Sequence, residues 1–213
     1  MVYRRSPAAC ERARQGRADV LRAARTVVAP QGMAGISMAA VAAEAGVAVG
    51  SLYRHFPSKT DLVTELVRST CDHELAVLRA VASGEHGTGG PAAGTGGAER
   101  LAAAVSVFAR RALSSGRVAY AMICEPTAAQ AELLRRTIRA EMATILAGIV
   151  ADGVADGSFP PQDALLAGLA LVGAVSEVLT APSGDVAGED RDRLVESITA
   201  MALRSVGTGR VPA

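Results

Sequence analysis

Serine, tyrosine, histidine and basic residues are concentrated between positions 37 and 59, where their types and spacing suit contact with double-stranded DNA. Ser51, Tyr53, Arg54 and His55 lie on one short segment, and Lys59 follows shortly after. Hydroxyl groups and cations bind phosphate oxygens, while side chains near the start of a helix in the major groove reach base edges. We therefore expect this segment to form a DNA-contacting surface.

Two short helices joined by a tight turn are predicted to position these side chains. Ser37 precedes apolar residues at helical spacing, so its side chain is expected to cap the first helix. Gly46 should end that helix, because glycine adopts the left-handed backbone conformation at little cost. Val47 is expected to turn into the core before the second helix begins, a spacing that suits a helix-turn-helix unit.

The second helix is expected to begin near Val49 and to end before Pro57. The residue that precedes a proline avoids helical backbone angles, which explains the stop. Leu52 and Phe56 lie four residues apart and should form the buried face of this helix. The remaining side chains would then point outward.

A further helix is predicted to open with a capping box formed by Ser58 and Asp61. Lys59 lies in its first turn, where free backbone N–H groups and the positive end of the helix dipole favour an anion. It is the only lysine among the 22 basic residues, the others being arginine. Lys59 is therefore a candidate phosphate contact.

Together, these residues resemble the DNA-binding domain of the tetracycline-repressor (TetR) family of bacterial transcription regulators. The shared pattern is a capped helix, an Ala-Gly-Val turn at 45–47, Gly-Ser-Leu-Tyr-x-His-Phe at 50–56 and Ser-Lys-x-x-Leu at 58–62, and it covers roughly residues 17–66. The resemblance implies mostly phosphate contacts for Ser37, Ser51, Tyr53, His55 and Lys59, and base contacts for Val49 and Gly50. With the neighbouring Ala48 and Arg54 added, the candidate DNA-binding residues are Ser37, Ala48, Val49, Gly50, Ser51, Tyr53, Arg54, His55 and Lys59.

One position departs from the family pattern. The family usually has Ser or Thr, as a helix cap, where this chain has Ala48. The missing cap costs about 1 kcal/mol of local helix stability and removes a hydroxyl group that could bind phosphate.

Each candidate residue taken alone also has a structural explanation. An alanine-rich helix pair could be scaffold, Tyr53 could be an ordinary half-buried tyrosine, His55 a surface histidine and Ser58 only a cap. Their combination at fixed spacing favours DNA binding over these explanations.

Basic charge is concentrated at the N-terminal end of the sequence. The chain of 213 residues has a net charge of +1, whereas residues 1–59 contain nine basic and three acidic residues. Positive charge collected at one end is typical of nucleic-acid binding. Residues 1–16 are predicted to form a basic flexible arm that could enter a minor groove, touch phosphates or remain a solvated tail.

Helical periodicity predicts an all-α fold of about nine helices. Aromatic residues make up only 3% of the chain, so the cores must consist of closely packed aliphatic helices. With the resemblance, the predicted domains are a three-helix helix-turn-helix DNA-binding domain at 17–62 and an effector-binding and dimerisation domain at 63–207, with a glycine-rich loop at 83–98 and a tail at 208–213. Besides the two short helices, helices are predicted at 18–29, 60–82, from 99 onward, 118–123, 126–157, 161–180 and 189–206.

The sequence contains no motif that points to catalysis, a cofactor or a metal site. Cys10, Cys71 and Cys124 lack metal-ligand spacing, and their odd number argues against a disulfide framework. They are expected to be free thiols in the cytoplasm. Neither a signal peptide nor a membrane span is predicted, because the apolar uncharged run at 164–176 is too short.

The resemblance also implies a homodimer that pairs through the last two helices, although an apolar helix pair there could simply be core. One recognition helix covers only a few base pairs, whereas a two-fold dimer would match a palindromic operator. The family further implies a pocket for a small-molecule effector inside the C-terminal domain. The candidate ligand-binding residues are Phe108, Tyr120, Met122, Cys124, Arg139, Met142, Ile145, Leu171 and Glu177. The alternative function is a helical dimeric adaptor without ligand switching.

Overall fold

The computed structural model describes residues 7–84, 95–180 and 189–207. All of the regular secondary structure over these residues is helical. Over those residues the all-α prediction is confirmed. The helices are α1 Pro7–Gln31, α2 Met38–Glu44, α3 Val49–His55, α4 Lys59–Ala82, α5 Gly97–Ser115, α6 Arg117–Ile123, α7 Ala129–Ala155, α8 Ala164–Thr180 and α9 Glu189–Val206, with a short 3-10 turn Met33–Gly35 between α1 and α2.

The first helix begins much earlier than the sequence predicts. Residues 7–16 were expected in a flexible arm, and that prediction is wrong for them because they form the first turns of α1. Their Ala, Arg, Glu and Gln residues favour helix, and the Arg14 guanidinium donates to the Glu11 carboxylate over 2.8 Å one turn away. Residues 1–6 lie outside the described part of the chain, as do residues 85–94 of the predicted glycine-rich loop and the tail at 208–213.

Three other helix starts differ from prediction by two residues or more. α5 starts at Gly97 rather than residue 99, and its first N–H donates to the Asp156 carboxylate over 2.7 Å. α7 starts at Ala129 rather than at Pro126. α8 starts at Ala164 rather than residue 161, because the Asp163 carboxylate accepts the Leu166 N–H over 3.0 Å and thereby caps the first turn.

Two hydrophobic cores lie along the molecule, and α4 contributes to both. The first core joins α1, α2 and α3 with residues 62–67 of α4 and with parts of α6 and α7. The second core joins residues 78–82 of α4 with α5, α7, α8 and α9. Because one helix belongs to both cores, the N-terminal unit is attached to the body through a rigid element of 24 residues, about 36 Å long.

The close packing of α7 on α8 depends on a glycine. A Cβ atom added at Gly168 would overlap the backbone of Ala143, so only a residue without a side chain fits there. Gly173 on the same helix has open space around it. Within the described residues, the structure contains no helix long and apolar enough to cross a membrane.

Candidate nucleic-acid interface and internal cavity

Both serine caps predicted for the N-terminal unit are confirmed. The Ser37 Oγ accepts the backbone N–H of Ala40 over 3.0 Å at the start of α2. The Ser58 Oγ accepts the N–H of Asp61 over 3.1 Å at the start of α4, and its hydroxyl donates to the Asp61 carboxylate over 2.7 Å. These bonds fix the first turns of the two helices on either side of α3.

Helix α3 has one buried and one exposed face, as predicted. Leu52 within it and Phe56 at its end are fully buried in the first core. Val49, Tyr53 and Arg54 are exposed, and Tyr53 retains 48% of its accessible surface. A side chain added at Gly50 would meet nothing within 4 Å, so the backbone there is open to close approach by a large partner.

Val47 does not enter the core, contrary to the sequence prediction. Its side chain is 41% exposed. Gly46 adopts φ 66°, and the Val47 N–H then donates to the carbonyl of Ala42 over 3.0 Å, which closes the end of α2. This closure leaves the Val47 side chain at the surface of the turn between the two short helices.

The hydroxyl-bearing and basic candidates of α3 differ in their surroundings. The Arg54 guanidinium donates to the Ser51 Oγ over 2.7 Å, so two predicted DNA contacts are hydrogen bonded to each other. His55 is half-buried, and its imidazole lies against Gly16 of α1. A Cβ atom added at Gly16 would come within 3.0 Å of the His55 Nε2. The early turns of α1, which the sequence did not predict, therefore cover part of the His55 ring.

Arg17 fixes the end of α3 to α1 and α4. Its guanidinium donates to the His55 carbonyl over 2.8 Å, approaches the Glu65 carboxylate to 3.2 Å and stacks 4.2 Å from the centre of the Phe56 ring. From the sequence, Arg17 is only one of the nine basic residues of positions 1–59 and directly follows the predicted arm. In the structure it is a positioning residue for α3, and nothing local in the sequence distinguishes it from the neighbouring arginines.

Lys59 lies exposed in the first turn of α4, beside a surface groove of about 510 Å³. The groove separates the N-terminal unit from the corner between α6 and α7. Thr60, Arg117 and Glu125 line it with Lys59. The lysine is therefore accessible at the edge of the surface formed by α3, as a phosphate contact requires.

A cavity lies inside the body between α4, α5, α6 and α7. About 100 Å³ of it is available to the centres of water-sized spheres. Apolar atoms dominate its walls. The lining residues are Thr70, Cys71, Glu74, Phe108, Arg111, Ala112, Ser115, Val118, Ala119, Met122, Ile123, Arg135, Ile138, Arg139, Met142 and Ser176.

Charged groups are gathered in one part of the cavity wall. The Arg111 guanidinium donates two bonds to the Glu74 carboxylate, at 2.7 and 2.8 Å, and this hydrogen bonding raises the pKa of Arg111. Arg135 is only 6% exposed and donates to the carbonyls of Glu125 and Ala121 over 2.7 and 2.8 Å and to the Glu132 carboxylate over 2.6 Å. Its Nε has no hydrogen-bond partner among the described atoms.

Cys71 behaves as an apolar wall residue. Burial raises the pKa of its thiol to about 11, with the nearby positive charge of Arg135 acting in the opposite direction. The thiol is therefore protonated at neutral pH. In the described part of the chain, no cluster of three histidine, cysteine or carboxylate side chains could hold a metal ion.

The structure brings five of the nine candidate ligand residues to a cavity. Phe108, Met122, Arg139 and Met142 line the cavity described above, and Leu171 lines a smaller one beside it. Four candidates are corrected because they line neither cavity: Tyr120, Cys124, Ile145 and Glu177. On α6 the residues at 118, 119, 122 and 123 face the cavity, so the helical period of 3.6 residues turns the exposed Tyr120 away from it.

Several cavity residues were missed by sequence reasoning. Glu74, Arg111 and Arg135 look like ordinary surface charges in amphipathic helices, and only their partners on other helices mark them as wall residues. Glu74 and Arg111 are 37 positions apart, so no local spacing predicts their pairing.

The corner after α6 connects the cavity wall to the N-terminal unit. The Glu125 carboxylate accepts the backbone N–H of Met33 over 2.5 Å and pairs with Arg117 over 3.3 Å. Its backbone carbonyl accepts the bond from Arg135. Glu125 therefore contacts the short turn before α2 and a cavity residue at the same time.

Two family models match the chain over most of its length. Residues 20–66 match the model for bacterial regulatory proteins of the tetR family, and residues 94–206 match the model for the tetracyclin repressor-like C-terminal domain. Among curated proteins, none matches the sequence.

Solved structures with a similar fold include three transcriptional regulators. The fatty acid degradation regulator FadR from Bacillus halodurans has a TM-score of 0.72 and 19% identity, covering 94% of this chain and 97% of that chain. FadR from Bacillus subtilis in complex with stearoyl-CoA has a TM-score of 0.73 and 19% identity, covering 89% and 98%. The ketosteroid regulator KstR2 of Mycobacterium tuberculosis has a TM-score of 0.66 and 18% identity, covering 91% and 95%. At these identities, the likeness shows the fold alone.

Proposed function

Because the chain belongs to the tetR family of bacterial regulatory proteins and is a DNA-binding transcriptional regulator, we propose that it represses transcription as a homodimer on a palindromic operator. A small molecule in the internal cavity would release the DNA. The free thiols Cys10 and Cys124 are exposed, which suits a reducing cytoplasm, where we expect the protein to act.

The division of α3 into a buried and an exposed face carries the DNA-binding proposal. Leu52 is fully buried, whereas Val49 and Tyr53 on the other face are exposed in spite of their apolar surface. Exposed apolar side chains beside a basic residue suit a groove, where they contact base methyl groups and sugars. Lys59 and Arg54 add the charge that phosphates require.

The dimer proposal rests on an unpaired apolar surface of α8. Leu165, Leu166 and Leu169 are each more than half exposed, and the small residues Gly173 and Ala174 follow along the same helix. Exposed apolar patches of this kind mark protein–protein interfaces. We propose that α8, together with α9, pairs with the same two helices of a second copy.

The proposed ligand response uses the corner at Glu125. Residues of α6 and Arg135 line the cavity, and Arg135 holds the Glu125 carbonyl. A ligand that displaces either element would move Glu125, which holds the Met33 N–H of the N-terminal unit. The two recognition helices of the dimer would then lose their operator spacing, at a coupling free energy of about 1–3 kcal/mol.

Substitution of two interface residues tests DNA binding directly. Genomic footprinting with the purified protein first identifies the operator. We then expect Tyr53→Ala combined with Lys59→Ala to abolish the mobility shift on that operator while leaving the dimer intact. The matched control is Tyr120→Ala combined with Arg136→Ala, since Tyr120 is similarly exposed, at 41%, and both residues lie in the C-terminal domain.

Salt dependence provides a second test of the same interface. If each subunit binds about five phosphates, the logarithm of the association constant should fall with the logarithm of salt concentration at a slope near −9. A salt-independent affinity, or binding by a monomer in sedimentation velocity, would contradict the mechanism. DNA binding that survives the double substitution would place the DNA contacts elsewhere, whereas an unsubstituted protein that binds no genomic site would favour the adaptor function.

A further inference from the structure

The internal cavity continues into a second, smaller one deeper in the body. Phe108, Met142 and Ser176 line both, so these three side chains form the neck between them. The second cavity has about 20 Å³ available to the centres of water-sized spheres. Methionine is unbranched and adapts its shape at low cost, so a narrow ligand could pass this neck more easily than a broad one.

Polarity changes in the same direction along three helices that pass both cavities. On α4 the wall changes from Glu74 to Leu78, and on α7 it changes from Arg135 and Arg139 to Leu146. On α5 it changes from Arg111 to Ala104. The wall of the second cavity contains no charged residue. One end of the combined space is therefore charged, and the other end is apolar.

The charged end carries an excess of positive charge. Three arginines and one glutamate line it. The glutamate is paired with Arg111, and Arg135 is paired with Glu132 just outside the wall, so among the described residues only Arg139 of the three has no carboxylate partner. Arg135 is buried with its Nε unpartnered, and Arg139 makes one bond, of 3.1 Å, to the carbonyl of Ile123. A buried guanidinium with a free N–H, next to an exposed guanidinium that faces no carboxylate, favours a ligand group that is anionic and accepts hydrogen bonds.

We propose that the combined cavity binds a narrow anionic amphiphile, with a carboxylate or similar group at Arg135 and Arg139 and an unbranched apolar chain directed past Met142 toward Leu171. The wall of α4 from Thr70 to Leu78 spans about 12 Å, which sets the scale of the chain. This inference rests on the proposed ligand response for its biological meaning, but it concerns binding and is tested without DNA.

Calorimetric titration of the full chain with dodecanoate below its micelle concentration is the direct test. We expect dodecanoate to bind at least tenfold more tightly than dodecanol or dodecyltrimethylammonium, which have the same chain length. Arg139→Gln should remove most of the preference for the carboxylate, whereas the matched control Arg136→Gln, which lies outside both cavity walls, should not. Equal binding of all three compounds, or no binding of dodecanoate, would overturn the inference.

Chain length tests the second cavity separately. Ala104 lines that cavity, so Ala104→Val should weaken dodecanoate binding several-fold and leave hexanoate binding unchanged, while Ala102→Val on the same helix should alter neither. If Ala104→Val lowers the melting temperature, Val175→Ile tests the same space from α8. An unchanged chain-length preference in both variants would refute the extended site.

A parallel operator titration distinguishes this inference from the proposed function. Dodecanoate binding without any effect on operator affinity would leave the ligand class intact and contradict the ligand response. Operator release by a cationic or uncharged compound, with no dodecanoate binding, would support the ligand response and refute the ligand class.

Discussion

The carboxylate of Glu125 and the backbone N–H of Met33 form a 2.5 Å hydrogen bond between residues 92 positions apart in the sequence. The carboxylate occupies space that a side chain at Gly32 would otherwise fill, because a Cβ atom added there would overlap it. This bond ties the corner after α6 to the turn before α2. Two predictions follow from it, one for stability and one for regulation.

Gly32→Ala should destabilise the protein more than Gly46→Ala. Both glycines have positive φ angles, 67° and 66°, and alanine costs about 1–2 kcal/mol in the left-handed region. Gly32 also has ψ −164°, a backbone region that essentially only glycine occupies, so the strain there is larger. Gly32 also adds the overlap with Glu125, since a Cβ atom at Gly46 meets nothing within 4 Å. Urea unfolding measures the difference, and Glu125→Ala in the Gly32→Ala background should remove the part that comes from the overlap. An equal cost of Gly32→Ala in the wild-type and Glu125→Ala backgrounds would mean that the carboxylate adapts without cost.

Glu125→Ala should weaken the response to ligand more than it weakens DNA binding itself. The substitution removes the bond to Met33 but leaves α3 and Lys59 in place. Operator affinity measured with and without a ligand gives the coupling ratio, which we expect to fall toward one. Glu141→Ala is the control, because the Glu141 carboxylate pairs with Arg79 within the body. A wild-type ratio in Glu125→Ala would show that the response travels by another route.

Arg17→Ala should cost about 1–2 kcal/mol of unfolding free energy and lower operator affinity. It removes the hydrogen bond to the His55 carbonyl and the stacking on Phe56, which together hold the end of α3. Arg22→Ala, which breaks only an exposed pair with Asp19, should change stability by less than about 0.5 kcal/mol. Chemical denaturation and operator titration measure the two effects. Identical stability of the two variants would assign Arg17 no positioning role.

Ala48→Ser should stabilise α3 by about 0.5–1 kcal/mol. Ala48 occupies the N-cap position with extended backbone angles, φ −65° and ψ 142°, and no side-chain bond caps the helix there. Serine can supply that bond and offers a hydroxyl group to phosphate, so operator affinity should rise with thermal stability. Ala43→Ser, at an exposed position inside α2, provides the contrast, because serine there is slightly unfavourable. A loss of stability in Ala48→Ser would contradict the cap assignment.

Stability should fall between about pH 9 and pH 11 in a way that depends on Cys71. Burial raises the pKa of its thiol from 9.0 to about 11, so over this interval the unfolded state loses the thiol proton while the folded state retains it. The stabilisation by the neutral thiol is complete below pH 9 and declines as the pH rises toward 11, by up to about 2–3 kcal/mol. The difference between wild type and Cys71→Ala in denaturation curves across this range isolates the effect. A constant difference would mean that the thiol titrates normally.

Local features of the N-terminal unit could be predicted from the sequence because they depend on neighbours within four positions. The caps at Ser37 and Ser58 and the buried pair Leu52 and Phe56 follow from helical spacing, and the structure confirms them. The resemblance to a known family extended these local features to a fold and a function. Helix starts after prolines were predicted less well, since the cap residue, such as Asp163, decides where the first turn begins.

The amino-acid sequence by itself determined the helical class, the helix-turn-helix unit and the outer residues of α3, because each of these is a matter of short-range periodicity and turn chemistry. Only the tertiary structure decided that Arg17 clamps α3, that Tyr120 and Cys124 point away from the cavity and that Glu125 reaches Met33. These outcomes depend on which faces of distant helices meet. Side chains that look alike along the chain, such as Arg135 and Arg136, become a cavity wall and an exposed surface because consecutive positions on a helix point about 100° apart.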